Sequence, residues 1–117
     1  MENKKFIYNM FNSKNEEEEV VFEVRPLASR WRFTERVSEA TKIANGDEFK
    51  LAVEIAKRLF PEMMVKPEFP KNKIVEGKTW SIEVQIREFF ENDPQILMRL
   101  VRELMGLMTP PRKTIEE

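Results

Sequence analysis

The sequence has no cysteine and no histidine among its 117 residues. Without cysteine the chain forms no disulfide bond and offers no thiolate nucleophile or thiolate zinc ligand, so cysteine pairing says nothing about its redox compartment. Without histidine it has no imidazole that could act as a base near neutral pH or complete a catalytic triad. These absences exclude most nucleophilic and metal-dependent chemistry.

Glycine and long apolar runs are also scarce. The three glycines, at positions 46, 77 and 106, are too far apart for a phosphate-binding loop. No stretch approaches the roughly 18–20 apolar residues that a membrane span requires, and residues 1–15 lack the apolar core of a secretory signal. We therefore expect no membrane partner and a cytoplasmic protein that stays in the compartment where it is made.

Charge is abundant but mixed in sign. The 20 Lys and Arg residues are balanced by 21 Asp and Glu residues, for a formal net charge of −1. The signs are interleaved, so neither a basic nucleic-acid footprint nor a large acidic face is visible. Carboxylate-based hydrolysis or a Mg²⁺ site is chemically open, but no acidic constellation stands out from solvated charge. The composition predicts a non-enzymatic protein with no cofactor, no metal and no nucleic-acid partner.

Length and charge patterning predict one domain with polar ends. A chain of this length can bury one core. Residues 1–19 are interpreted as a polar, flexible leader, because the carboxylate run at 16–19 favours solvated backbone. The apolar knot at residues 6–11 either packs occasionally on the domain or docks on another chain. A helical domain is predicted over residues 20–108, followed by a disordered tail at 109–117.

Ordered structure is predicted to begin with a β-strand at residues 20–25. This segment is rich in β-branched residues and ends at Pro26. A lone strand is not stable, so it needs a partner from the leader, from residues 73–75 or from another subunit.

An amphipathic helix is predicted to start near Leu27. Ser29 or the turn after Pro26 caps it, and Gly46 provides a left-handed stop. Its apolar face is predicted to comprise Leu27, Trp31, Thr34, Val37, Thr41 and Ala44. Trp31, like Trp80 further along the chain, is interpreted as an anchor of the core.

A second helix is predicted over residues 47–60. Asp47 is a good N-cap, and apolar residues follow at i, i+3 and i+4 spacing. Pro61, the first of three prolines, is predicted to end this helix and begin an irregular connection over residues 61–73.

Residues 79–87 fit two structures. Apolar and polar residues alternate at the strand period from Trp80, but the same residues fit a helix that continues into Phe89 and Phe90. A run this short cannot be assigned from its pattern alone. We favour the helix, because no turn signal interrupts it; the strand alternative gives a hairpin around Glu76 and Gly77.

The last helix has clear boundaries, with Asp93 as N-cap, Pro94 in the first helical position and Gly106 just after the last turn. The sequence as a whole therefore predicts a mainly α fold, a small domain of about four helices with a short N-terminal β-strand or hairpin.

The final helical region points to function. Nine of the fourteen residues from Gln95 to Met108 are apolar, more than one face of a helix needs. Either this helix lies at the centre of the fold, or one side packs inward while the other meets a second copy or a hydrophobic client. The methionines of this region suit adaptable binding surfaces, and they equally fill irregular cores.

The order of elements resembles the tail assembly chaperones of long-tailed phages and prophages. The resemblance covers residues 20–107 and rests on three segments: Phe22 to Leu27 leading into a helix, Val65 to Phe69, and the terminal Leu-rich helix ending at Leu107. It implies a non-enzymatic protein of the host cytoplasm that needs no cofactor, binds hydrophobic stretches of the tape measure protein and helps to recruit tail tube subunits. A homo-oligomer is compatible with this role.

Both lines of argument predict an adaptable apolar surface on a small helical domain. We assign to this surface Phe89, Phe90, Met98, Met105, Leu107 and Met108. Three other functional classes stay open: a small phage-encoded inhibitor or adaptor that binds a host protein, a self-assembling structural subunit, and an enzyme acting through carboxylates.

Overall fold

The computed structural model describes residues 2–109. Within that range the chain forms four helices and five strands in the order β1 (Lys4–Phe11), β2 (Glu17–Val24), α1 (Arg30–Ala44), α2 (Glu48–Met63), β3 (Met64–Lys66), β4 (Asn72–Val75), β5 (Lys78–Ser81), α3 (Ile82–Phe90) and α4 (Pro94–Met108). The strands form an antiparallel sheet of order β1-β2-β3 and a separate antiparallel β4-β5 hairpin.

This is a mixed α/β domain, with 51% of residues 2–109 in helices and 25% in strands, so the mainly α prediction is wrong. The largest difference lies in the N-terminal segment, where the predicted flexible leader forms strand β1 and the start of β2. Phe6, Tyr8 and Met10 point inward from β1 while the residues between them are exposed. This alternation with a period of two is the pattern of a half-buried strand. The strand is stable because it pairs with β2 along its full length.

A compact turn connects β1 to β2. The side-chain oxygen of Asn12 accepts hydrogen bonds from the backbone N–H groups of Lys14, at 2.9 Å, and Glu16, at 3.0 Å. Asn15 adopts a left-handed conformation with φ of 61°. The carboxylates of Glu17–Glu19 lie exposed at the start of β2, so they are solvated without unfolding the strand. The domain boundary predicted at residue 20 therefore falls inside β2.

Helix α1 buries part of the face predicted from the sequence, with Ala44 buried and Val37 packed against the core. Ser29 caps it as expected, accepting a hydrogen bond from the N–H of Arg32. Its buried residues, however, are Phe33, Ala40 and Ala44, whereas Trp31 is 78% exposed. Trp31 is therefore not a core anchor, and the buried face combines Phe33 with the small residues Ala40 and Ala44, which let α1 approach α2.

Helix α2 is the central helix of the domain. Asp47 caps it through the N–H of Lys50, as predicted, but the helix continues through Pro61 to Met63. A proline in the last turn removes one hydrogen bond without preventing two further helical residues. The buried residues of α2 lie on several sides of the helix: Ala52, Glu54, Ile55, Ala56, Leu59, Phe60 and Met63.

Residues 78–90 combine the two alternatives that the pattern allowed. The first part is strand β5, paired with β4 across a turn at Glu76 and Gly77, which both have positive φ. The second part is helix α3, capped by the Ser81 hydroxyl that accepts from the N–H of Val84. The change of period at Ser81 explains why a single structure could not be assigned.

Helix α4 starts at Pro94, as predicted, but runs through Gly106 to Met108. Asp93 does not cap it with its side chain; instead its carboxylate accepts a hydrogen bond from the N–H of Phe11, at 3.2 Å. This contact, with the bond from the Asn92 amide to the carbonyl of Asn12, ties the β1-β2 hairpin to α4. The predicted disordered tail, apart from residue 109, lies outside the described residues.

Candidate functional site

An apolar groove between α2 and α4 contains two of the residues assigned to a binding surface. Helical spacing builds it, because positions i, i+3, i+4 and i+7 share one face of a helix. Helix α2 contributes Glu48, Leu51, Ala52 and Ile55, and α4 contributes Met98, Val101, Arg102 and Met105. We call these eight residues the α2/α4 groove, which has a volume of about 230 Å³.

The α2/α4 groove has a buried floor and a charged rim. Ala52, Ile55 and Val101 are at most 6% exposed and form the floor. Leu51, Met98 and Met105 are half-buried and form the walls. Glu48 on α2 and Arg102 on α4 are exposed at the rim, with opposite charges on the two helices. The groove can therefore accept an apolar side chain while its rim contacts polar groups.

The other four residues assigned to the surface lie elsewhere. Phe90 and Met108 are 2% and 4% exposed and belong to the core, and neither lines the α2/α4 groove. Leu107 is half-buried against the core outside the groove. Phe89 is half-buried in an aromatic cluster, with its ring centroid 4.8 Å from that of Phe90 and 5.9 Å from that of Phe22. The structure thus brings together only Met98 and Met105.

A second depression, of about 250 Å³, lies where α2 and α4 meet α3. Its apolar lining includes Phe49, which is 47% exposed, and Val53 from α2, with Pro94 and Leu97 from α4. The N-terminal half of α2 therefore borders apolar depressions on two sides. The α2 contribution was not recognised in the sequence, because the strong periodicity of that helix indicated burial rather than partial exposure.

The remaining exposed apolar residues are isolated from the groove. They include Trp31 on α1 at 78%, Ile74 on β4 at 76% and Ile7 on β1 at 61%. Trp31 lies beside Thr34, Ser38 and charged residues of the same helix. Its indole is therefore presented on a polar surface.

An ion-pair network connects α2 to its neighbours. Glu54, only 6% exposed, accepts hydrogen bonds from Lys57 at 2.9 Å and from Arg58 at 3.1 Å. Lys57 also reaches Glu83 on α3 at 3.1 Å, and Arg58 lies 3.5 Å from Glu39 on α1. The network joins three helices.

The same contacts shift two pKa values. Burial is the largest influence on Glu54 and raises its pKa, but the hydrogen bonds and charges of Lys57 and Arg58 together lower the pKa below its ordinary value of 4.5. For Lys57 the hydrogen bond to Glu54 is the largest influence, and it raises the pKa above 10.5 against the opposing effect of burial. Because each charge is paired, this is the pattern of a structural ion-pair network.

The described part of the chain holds neither a candidate metal site nor a membrane-spanning helix. Across residues 2–109, no three or more acidic side chains are grouped so that they could hold a metal ion. Nor does any helix in the same range combine the length and the apolar character needed to span a membrane.

Comparison of the chain with known protein families, curated proteins and solved structures finds no significant match. The resemblance to phage tail assembly chaperones therefore stays a prediction from the sequence.

Proposed function

We propose that the chain is a non-enzymatic binding protein that holds an apolar helical segment of a client protein in the α2/α4 groove. The biological role suggested by the sequence is that of a cytoplasmic phage tail assembly chaperone, with hydrophobic segments of the tape measure protein as clients and the tail tube protein as a further partner. The observation that carries the proposal is the placement of Met98 and Met105 together in one apolar groove.

The chemistry of the groove supports a helical client. A groove between two helices accepts the apolar face of a third, whose anchors recur at i, i+3, i+4 and i+7. Methionine has an unbranched, flexible side chain that can adapt to client residues of different shape, which suits a chaperone that meets several segments of one long protein. The opposite charges of Glu48 and Arg102 would orient a client helix whose flanks carry the complementary charges.

The test is the double variant Met98→Glu/Met105→Glu. It places two carboxylates in the walls of the groove and should weaken client binding at least about tenfold, since each buried unpaired charge costs more than 1.4 kcal/mol. Binding would be measured by fluorescence anisotropy with labelled amphipathic peptides from a tape measure protein. Both residues are half-buried, so the melting temperature reports whether the fold survives.

The matched control is Gln95→Glu/Gly106→Glu. It adds the same charge to exposed positions of α4 outside the groove, and a Cβ at Gly106 meets no atom within 4 Å. We expect the control to bind peptide like the wild type. Equal binding by all three proteins would contradict the proposal.

The exposed indole of Trp31 favours a second candidate, an inhibitor or adaptor that binds a folded host protein. Tryptophan is enriched among the residues that dominate protein–protein affinity, and at 78% exposure Trp31 contributes little to the core. A host protein whose capture is abolished by Trp31→Ala but unaffected by Met98→Glu/Met105→Glu would favour this candidate over the chaperone.

A further inference from the structure

We propose that the chain forms a two-fold symmetric dimer in which β1 pairs antiparallel with β1 of a second copy, joining two three-stranded sheets into one. This interface lies on the sheet edge and does not use the α2/α4 groove, so it goes beyond the proposed function.

Within residues 2–109 no strand pairs with the outer edge of β1, whose backbone groups point outward at alternate residues. The N–H of Asn12 donates to the carbonyl of Glu16, so even-numbered residues of β1 direct their backbone groups toward β2. Odd-numbered residues direct theirs away from β2, and the N–H of Phe11 accordingly reaches Asp93. The N–H and C=O groups of Lys5, Ile7 and Asn9 are therefore available to another strand.

Beyond Lys4 and Lys5 at its first two positions, this edge has few of the features that usually prevent pairing between sheets. β1 is eight residues long, contains no proline and pairs with β2 without a bulge. At the opposite side of the sheet β3 has three residues and is followed by Pro67. The part of β2 that extends beyond β3 carries Glu17–Glu19, whose like charges would repel the same segment of a second copy.

Side-chain chemistry selects one register. Pairing Ile7 with the partner subunit's Ile7 places Lys5 opposite the partner subunit's Asn9, and it uses the three free residues on each strand. Ile7 already lies opposite Val21 on the outer face, with exposed fractions of 61% and 41%. The dimer would extend this pair into a continuous apolar row across four strands, in which the neighbouring side chains shield one another in part from water.

Charges are complementary in the same register. Each hairpin has Lys4 and Lys5 at one end of β1 and Glu18 and Glu19 at the other end, across from Met10 and Asn9. The two-fold axis places the partner subunit's Lys4 and Lys5 beside Met10 and Asn9, two strands or about 10 Å from the glutamates. Lys and Glu side chains together span this distance, so the basic end of each hairpin meets the acidic end of the other.

The first test uses the absence of cysteine. In Ile7→Cys the only two thiols of a dimer face each other in a hydrogen-bonded pair, with Cα atoms about 5.5 Å apart, inside the range for a disulfide. The full-length variant should form a disulfide-linked dimer on mild oxidation, seen by non-reducing electrophoresis. Val21→Cys is the matched control, because its thiols would be three strand spacings or about 14 Å apart and should not react.

Several results would overturn the dimer. The wild-type protein could remain monomeric in sedimentation equilibrium at every accessible concentration. Val21→Cys could cross-link instead of Ile7→Cys. Finally, assemblies could grow beyond two copies as the concentration rises. The last result would indicate head-to-tail pairing of β1 with β2.

A charge-exchange series tests the register in the otherwise native chain. Lys4→Glu/Lys5→Glu and Glu18→Lys/Glu19→Lys should each weaken dimerisation about tenfold. Combining all four substitutions should restore dimerisation, because the basic and acidic ends of each hairpin trade places and opposite charges still meet. Failure of the combined variant to recover, with an unchanged circular dichroism spectrum, would reject this register.

Discussion

At the scale of single residues, burial and pairing decide what a charge contributes. Glu54 is buried, yet its carboxylate is satisfied by Lys57 and Arg58, and the pKa of that carboxyl is held below 4.5 in the folded state. Ionised Glu54 therefore stabilises the fold at pH values above 4.5, and this stabilisation is lost as the pH falls through the lowered pKa.

Glu54→Gln should reveal this dependence. The amide retains the shape of the side chain but leaves Lys57 paired only with Glu83 and Arg58 only with Glu39, so we expect a loss of about 1–2 kcal/mol in the free energy of unfolding at neutral pH. The difference from the wild type should shrink as the pH falls below 4.5 and then through the lowered pKa of Glu54. Urea unfolding across this pH range measures both quantities.

Glu35→Gln is the control for the loss of a carboxylate. Glu35 is exposed and forms no ion pair with any residue in the described part of the chain, so its substitution should change stability by less than about 0.5 kcal/mol. A Glu54→Gln defect that stays constant at low pH would show that the network does not act through charge.

The residue scale also shows where sequence patterns were ambiguous. Both tryptophans were interpreted as core anchors, yet Trp31 is exposed and Trp80 is half-buried. Helix α1 has few large apolar residues, so its periodicity fits more than one face, and the face with Phe33, Ala40 and Ala44 packs inward. Small residues carry little hydrophobic signal in a sequence but allow close helix packing.

At the scale of elements, β1 is the main departure from the sequence prediction. Met10 is 2% exposed and lies in the core, whereas its neighbour Asn9 is exposed on the other face. An N-terminal segment that only packed occasionally on the domain would have no such asymmetry.

The two neighbours give a matched pair of variants. Met10→Ser should lower the free energy of unfolding by about 3 kcal/mol, because it leaves a cavity and buries a hydroxyl. Asn9→Ser changes an exposed position and should have an effect below about 0.5 kcal/mol. Chemical denaturation of both variants at one protein concentration provides the comparison. Equal, small effects would mean that β1 is not part of the core.

Elements with strong local signals were predicted correctly. The N-caps Ser29 and Asp47 are confirmed by their hydrogen bonds, and α2 and α4 lie where apolar spacing indicated. The ends of these helices were less accurate, since α2 passes Pro61 and α4 passes Gly106. A proline or glycine ends a helix only where one more helical turn would gain less free energy from packing than that residue costs in the helix.

At the scale of the whole molecule, the core links the three-stranded sheet to all four helices but not to the β4-β5 hairpin. Buried residues come from β1, β2, β3 and every helix, whereas residues 72–81 include none that is buried. Local stability follows this difference, because segments without core contacts open with little free energy.

Hydrogen exchange should therefore separate the two sets of strands. Backbone amides of β1 and β2 that face each other should exchange only with global unfolding, while those of the β4-β5 hairpin should exchange through local opening and at least about tenfold faster. Mass spectrometry of peptides from residues 4–24 and 72–81 measures this. Rapid exchange over residues 4–11 would agree with a flexible leader and not with strand β1.

The candidate site shows the same division between local and tertiary information. The chemistry of methionine assigned Met98 and Met105 to a binding surface, and the structure places both in the α2/α4 groove. Phe90 and Met108, which had the same apolar character, lie in the core. A sequence identifies which residues are apolar, but the neighbours that cover them come from other parts of the chain.

The sequence by itself established the absence of cysteine and histidine, three of the four helices and most of the starting points of those helices. These follow from composition, from caps and from periodicity, which act over a few residues. Only the tertiary structure decided that residues 4–11 form a strand, that Trp31 faces water, and that one flank of α4 forms a groove with α2. Each of these depends on contacts between residues far apart in sequence, where the free energy of pairing and burial outweighs local preference.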